Sequence, residues 1–338
     1  MRRALLVVVA AMGGCSGRSA PAEPPPAPSA LPTHTAPRPA APAASAGARA
    51  DAATAPPAAP AGPAATDALD GCARLPFADH LPIAEASGAV WLPDDGGVLV
   101  VVADSGHDGA YLVIDAGDGR VREQGKLPLG PGGGDDLEGL TSDGERLWAI
   151  TSSGWLRAWR PRADGGFALD AGPYRIDDED GCALTAVNCG SNYEGLCLAR
   201  TAAARAALGG CGGYAAAKTT GRLVCLVQDD GRWRVEPGRA IEVTGPEMLA
   251  GCDIDDAGAV WTGDNLFGTM RVRKLVGGEV VASARLGVGF PEALAVSRDG
   301  TIYRFSDTGG APSGVAAYRC AGAGGADGKK GAGGASGG

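Results

Sequence analysis

The sequence predicts an all-β fold, a propeller of five blades, from three observations. A glutamate followed by small and apolar residues recurs five times, at Glu85-Ala-Ser-Gly, Glu138-Gly-Leu-Thr, Glu194-Gly-Leu-Cys, Glu247-Met-Leu-Ala and Glu292-Ala-Leu-Ala, with separations of 53, 56, 53 and 45 residues. A period in this range marks a repeat architecture. Each glutamate then leads into a short apolar strand, a turn, and a second strand ending in a polar cluster: Val98 to Asp104, Arg146 to Ser152, Arg222 to Asp229, Val260 to Asp264 and Ile302 to Asp307. Third and fourth strands follow, as in Tyr111 to Asp115 and Val121 to Leu127, and the only helical pattern is the Ala-rich stretch Ala199 to Leu208. Four short antiparallel strands per unit is the pattern of propeller blades. Finally, the fifth unit ends at Cys320 without a fourth strand, while residues 73–83 form an orphan strand before Glu85. Pairing the two closes the ring and removes exposed sheet edges. Antiparallel pairing sets Cys72 beside Cys320, and a disulfide there is expected. Six blades, at about forty residues each, fit the observed spacing less well, and a pair of sandwiches is the remaining alternative.

Taken in order along the chain, residues 1–14 read as a signal peptide. Arg2 and Arg3 precede an apolar run, Ala4 to Met12, that is too short to span a bilayer. The run ends in Met12-Gly13-Gly14-Cys15, which resembles a lipobox, so Cys15 is the expected site of lipidation. Residues 15–69 are rich in Ala and Pro and lack apolar periodicity, and such a segment cannot bury enough surface to offset its ordering entropy. It is expected to act as an extended tether. Residues 70–320 are long enough for one globular domain, and residues 321–338, mostly Gly and Ala, form a tail. The expected setting is the bacterial envelope, outside the cytoplasm, on the periplasmic or outer face of the outer membrane. Contact with the membrane is through the anchor alone.

Of the 30 basic and 39 acidic residues, five and three fall within residues 1–69, which leaves 25 against 36 and a net charge of about −11. That balance excludes a basic nucleic-acid footprint and suits either divalent cations or a soluble acidic surface. With Cys15 set aside, eight cysteines remain, at 72, 182, 189, 197, 211, 225, 252 and 320. An even number in an exported chain predicts disulfides; the spacing does not pair the middle six.

The repeat also carries the candidate chemistry. First strands of propeller blades lie innermost and run the same way, so Glu85, Glu138, Glu194, Glu247 and Glu292 are expected to ring one mouth of the central channel. The ends of the second strands return to that face, which adds Asp104, Asp229, Asp264, Asn265 and Asp307. Asp136 and Asn192, two residues before their glutamates, join them. Converging carboxylates resist joint ionisation unless a cation, a basic group or water compensates. A hard divalent ion does so with oxygen ligands, and calcium is the expected one outside the cell. The same repetition also arises if each glutamate caps backbone amides of the neighbouring blade.

The segments Val100-Val101-Val102-Ala103-Asp104-Ser105-Gly106, Asp136-Leu137-Glu138-Gly139-Leu140, Asn192-Tyr193-Glu194-Gly195-Leu196 and Pro291-Glu292-Ala293-Leu294 resemble the SdiA-regulated propeller family and the related domain called esterase-like activity of phytase. The resemblance spans about residues 85 to 307 in short motifs. The Cys-rich stretch 181–213 and Pro246-Glu247-Met248-Leu249 depart from it. It implies an exported propeller compatible with calcium, without a defined chemistry.

Two functions compete. A tethered, monomeric propeller can present its channel mouth to a small ligand or an envelope protein. Alternatively, the carboxylates and a metal can hydrolyse a phosphoester, ester or lactone. No Gly-x-Ser-x-Gly elbow lies in the globular segment, and neither His80 nor His107 sits in a triad or metal-binding motif. Binding is the favoured reading.

Overall fold

A computed structural model describes residues 71–320 other than 94, 95, 178–180, 267, 288 and 311. The expectations for the signal peptide, Cys15, the tether and the tail lie outside the described residues. Two short strands, β1 (Cys72–Arg74) and β2 (His80–Leu81), open the described chain. Blade 1 follows as β3 (Ala86–Leu92), β4 (Val98–Ala103), β5 (Ala110–Asp115) and β6 (Val121–Lys126). Blade 2 is β7 (Leu137–Ser142), β8 (Leu147–Thr151), β9 (Trp155–Pro161) and β10 (Phe167–Arg175). Blade 3 is β11 (Tyr193–Leu198), β12 (Gly213–Ala217), β13 (Arg222–Asp229) and β14 (Arg232–Glu242), with helix α1 (Ala202–Ala207) between its first two strands. Blade 4 is β15 (Leu249–Ile254), β16 (Val260–Leu266), β17 (Thr269–Val276) and β18 (Glu279–Leu286). Blade 5 is β19 (Phe290–Val296), β20 (Thr301–Asp307) and β21 (Ser313–Cys320), completed by β1 and β2, which both pair with β21.

Each blade is an antiparallel meander, and the burial follows from it. The first strands β7, β11 and β15 are buried at every position, whereas β6 alternates and β18 is largely exposed. The core is divided into five apolar clusters, each lying largely between two neighbouring blades. One of them joins Leu99 and Ile114 of blade 1 to Ala295 and Phe305 of blade 5, so the ring closes with the same packing that holds its other interfaces. Five blades, rather than six, satisfy the described chain. Cys72 faces Cys320 in the β1–β21 register and is bonded to it, as the pairing of chain ends requires.

On the axis the first strands meet backbone to backbone. A Cβ on Gly139 would stand 2.3 Å from Leu196 N, and one on Gly195 would stand 2.7 Å from Gly251 Cα. Only hydrogen fits there, which explains the Glu-Gly dipeptides of the repeat. Gly139→Ala should therefore cost on the order of 3 kcal/mol or more, because backbone rather than a flexible side chain must move, as read by urea denaturation.

The remaining cysteines are also paired. Cys197–Cys252 ties the first strands of blades 3 and 4, Cys211–Cys225 lies within blade 3, and Cys182–Cys189 closes a loop between β10 and β11. Four disulfides place the domain in an oxidising, exported compartment.

One strand assignment is corrected. The second strand of blade 3 is β12, Gly213–Ala217, and Arg222–Asp229 is its third. The inserted helix α1 separates β12 from β11, and the small residues of β12 carry none of the β-branched signal of its counterparts.

Candidate functional site

A shared backbone irregularity positions the site. In every first strand the register with the second strand slips by one residue: between Ala86 and Gly88, Leu137 and Gly139, Tyr193 and Gly195, Leu249 and Gly251, and Pro291 and Ala293. A bulge of this kind re-aims the extra side chain. The extra residues are Ser87, Glu138, Glu194, Ala250 and Glu292. Three of the repeat's glutamates thus occupy equivalent positions, and the other two do not.

Glu85 precedes its bulge by two residues. Its carbonyl accepts from Asp104 N at 2.9 Å, as Asn192 O does from Lys218 N at 2.8 Å and Met248 O from Asn265 N at 2.7 Å. Glu85 still reaches the mouth, where its Oε2 lies 2.9 Å from His107 Nε2. Glu247 does not. It is exposed, with a φ of 64°, and its amide donates to Lys218 O at 2.8 Å. Ala250 holds the position that the repeat led us to give Glu247.

Glu85, Ser87, Asp104, Glu138, Glu194, Lys218, Glu292 and Asp307 line one cavity of about 170 Å³ at this end of the axis, with Val187 and Asn188 from the Cys182–Cys189 loop at its rim. Asp136 adjoins it. One carboxylate oxygen from each of Asp104, Asp136 and Glu138 falls within 4.8 Å of the other two. Asp136 is 2 % exposed; its Oδ2 accepts from the amide of Ser152 at 3.0 Å and from the Ser152 hydroxyl. Its Oδ1 is buried without a hydrogen-bond partner. Behind it, the fully buried Arg157 donates from Nε to Leu129 O at 2.9 Å and from Nη2 to Gly133 O, which ties down the glycine-rich segment leading to Asp136. Burial brings that guanidinium down to about 10.

The remaining predicted residues do not line this cavity. Asn192 is buried beside β11, with its Oδ1 unpartnered. Asp264 is fully buried on β16 and taken by Arg273 Nη1 at 2.5 Å. Asn265 accepts from Gly268 N at 3.3 Å in a local turn. Asp229 is exposed at the β13–β14 hairpin, 3.7 Å from Arg234. It ends a third strand, which runs with the first, so it belongs to the opposite end of the ring.

Burial and mutual repulsion govern the ionisation. Glu138 is held well above the usual carboxylate range by burial, then by the charges of Glu194, Asp104, Asp136 and Glu292. Burial and Glu194 push Glu292 up to about 8. Asp104 and Asp136 are raised mainly by burial. Burial also raises Glu194, although Lys218 Nζ lies 3.0 Å from its Oε1. Burial disfavours the Lys218 ammonium, but Glu194 outweighs it and the net shift is upward.

Sequence reasoning missed Lys218, Ser87, Val187 and Asn188. Lys218 takes the position after the second strand that Asp104 takes in blade 1, so it was concealed by the misassigned strand. Chemically, the cavity offers an all-oxygen donor set with one orphaned buried oxygen, and one ammonium.

No protein-family model matches the chain, and no curated protein matches it. Among solved structures it is similar to the glutaminyl cyclase of Myxococcus xanthus, at 16 % identity and a TM-score of 0.46, covering 74 % of this chain and 97 % of that one. It is also similar to the calcium-binding protein regucalcin from Agrobacterium tumefaciens, at 14 % identity and a TM-score of 0.38, covering 71 % and 93 %. A third is BamB from Moraxella catarrhalis, at 17 % identity and a TM-score of 0.33, covering 72 % and 62 %. These similarities concern the propeller architecture.

Proposed function

We propose that the domain is a cation-dependent binding module, in which Asp104, Asp136 and Glu138 hold a divalent ion at the axial mouth. The orphaned Oδ1 of Asp136 carries the reading, since an unpaired buried carboxylate oxygen beside two further carboxylates is costly without a cation. The donor set fits calcium. Three carboxylate oxygens within 4.8 Å of one another can share one ion, because calcium takes oxygen ligands at about 2.4 Å. A bound ion would supply a positive centre for an anionic or carbonyl oxygen of a small ligand. Lys218 adds a second positive charge across the cavity, and Val187 and Asn188 limit what enters.

The resemblance to the SdiA-regulated and phytase-related propellers is compatible with a bound calcium ion and defines no chemistry. We further infer an exported, monomeric lipoprotein, anchored through Cys15 in the envelope, whose partner is a small ligand or an envelope protein and not nucleic acid. Cys72 and Cys320 sit at the end of blade 5 opposite Asp307.

A second reading, hydrolysis of an ester, phosphoester or lactone, draws on Glu292, whose carboxyl near about 8 holds a proton at neutral pH. Calcium-dependent turnover of p-nitrophenyl esters or phosphates, lost in Glu292→Gln, would favour it.

The binding reading is tested by melting curves with EDTA and with added calcium. At a hundredfold excess over Kd, calcium should stabilise the wild type by about 2.7 kcal/mol. Glu138→Gln and Asp136→Asn should fold and lose that response. If the carboxylates instead cap backbone amides, EDTA should leave the wild-type curve unchanged.

A further inference from the structure

The carboxyl groups of the axial mouth divide by partner, and two are left over. Glu85, Asp104, Glu138, Glu194, Glu292 and Asp307 line the cavity, and Lys218 is the single basic residue of its described lining. Glu85 Oε2 lies 2.9 Å from His107 Nε2, and Glu194 Oε1 lies 3.0 Å from Lys218 Nζ. Asp104 and Glu138, with Asp136 beside them, form the cluster given above to a divalent ion. Glu292 has no hydrogen bond or ion pair among the described residues. Asp307 accepts from Gly309 N at 2.6 Å through Oδ1, and its Oδ2 has no partner among them. The two groups stand at one end of the neighbouring strands β19 and β20, where Asp307 is paired with Phe290, two residues before Glu292. Lys218 acts on Glu292 through its charge, but burial and the charges of Glu194, Asp307 and Asp104 outweigh it.

An independent observation shows that the cavity is built for an occupant. Glu138 is 7 % exposed, and its carboxyl lines the cavity without a hydrogen-bond partner among the described residues. A buried carboxyl in that state is costly unless a positive or donating group meets it. A divalent ion balances two of the charges of Asp104, Asp136 and Glu138, and none of those of Glu292 and Asp307. A second such ion would need six to eight oxygen ligands of its own and would be repelled by the first. An ammonium needs only acceptors for its three protons, and the cavity already holds one in this way, that of Lys218 against Glu194. The volume of about 170 Å³ lies below the range of about 300–1,000 Å³ typical of small-molecule sites, so few heavy atoms fit beside an ion. Three carboxylates also leave calcium short of its usual ligand number.

We propose that the mouth binds a small primary amine, its ammonium taken by Glu292 and Asp307 and a carbonyl oxygen of the same molecule coordinating the ion. The inference rests on the cation reading for the carbonyl and goes beyond it in giving the ligand its charge.

Calorimetric titration of the calcium-saturated domain with glycinamide near neutral pH tests it, with propionamide as the counterpart in which a methyl group replaces the ammonium. Glycinamide should bind one saturable site about tenfold more tightly than propionamide, the equivalent of one charge-assisted hydrogen bond. Glu292→Gln and Asp307→Asn should each weaken glycinamide several-fold and leave propionamide unchanged. Triglycinamide separates two sources of the same chemistry: weaker binding than glycinamide supports a free small amine, and tighter binding overturns that in favour of a chain terminus protruding past Val187. Equal binding of glycinamide and propionamide would overturn the proposal, as would glycinamide binding that both substitutions leave untouched. Melting curves with EDTA and calcium on the same preparation separate its failure from that of the cation reading. A wild type that responds to calcium but takes up no glycinamide at millimolar concentration overturns this proposal alone, whereas a wild type without a calcium response overturns both.

Discussion

Without divalent cations, the purified domain should become less stable as the pH rises from about 4.5 to about 8. Glu292 is the clearest source, because its carboxyl is raised from 4.5 to about 8 in the folded state. Between those values the folded chain keeps a proton that the unfolded chain has lost. The stabilisation is complete below the unfolded value and is gone once the pH passes the folded one. For Glu292 alone this amounts to an upper bound of about 5 kcal/mol. Glu138, Glu194, Asp104 and Asp136 are shifted in the same direction and add to it. The groups facing them are Glu85, Asp307, His107 and Lys218, of which Lys218 is itself raised and titrates above this window. A bound cation replaces the protons and should flatten the curve. Urea denaturation at about pH 5 and about pH 8, with EDTA and with calcium, reads the effect. A metal-free stability that rises across this interval would show that the carboxylates are not crowded as described.

Opening the ring should have a comparable effect. Cys72 and Cys320 are separated by 248 residues, so their disulfide constrains nearly the whole domain in the unfolded state. The double variant Cys72→Ser, Cys320→Ser should lose about 5 kcal/mol in the chain-entropy model. The same substitutions at Cys182 and Cys189, separated by seven residues, should cost about half as much. Equal losses from the two pairs would argue that the ring is held by packing alone, with no part played by closure of the chain ends.

The architecture was legible because first strands of blades are buried on both faces and read as apolar runs after a fixed signal. Ring closure was legible for a related reason: a blade short of a strand at one end matched an orphan strand at the other. The site was legible only in part. Glu138, Glu194 and Glu292 coincide with the backbone bulge, and there the sequence repeat and the structural repeat agree. Glu247 imitates the motif three residues before its bulge, and a letter pattern cannot register a slip that is defined by pairing. Lys218 follows a strand of glycine, alanine and tyrosine interrupted from its partner by a helix, so neither period nor propensity marked it. Val187 and Asn188 reach the mouth through a disulfide loop outside the repeat, which periodicity does not describe.

The most direct test of the axial site is calcium titration calorimetry near neutral pH in two buffers of different ionisation enthalpy. Because Glu292 and its neighbours retain protons in the metal-free state, uptake of one calcium ion should release protons, and the apparent enthalpy should differ between the buffers. Asp136→Asn should abolish the heat. Absence of saturable binding to the wild type, or binding that releases no proton and survives Asp136→Asn, would contradict the assignment of Asp104, Asp136 and Glu138 as a cation site.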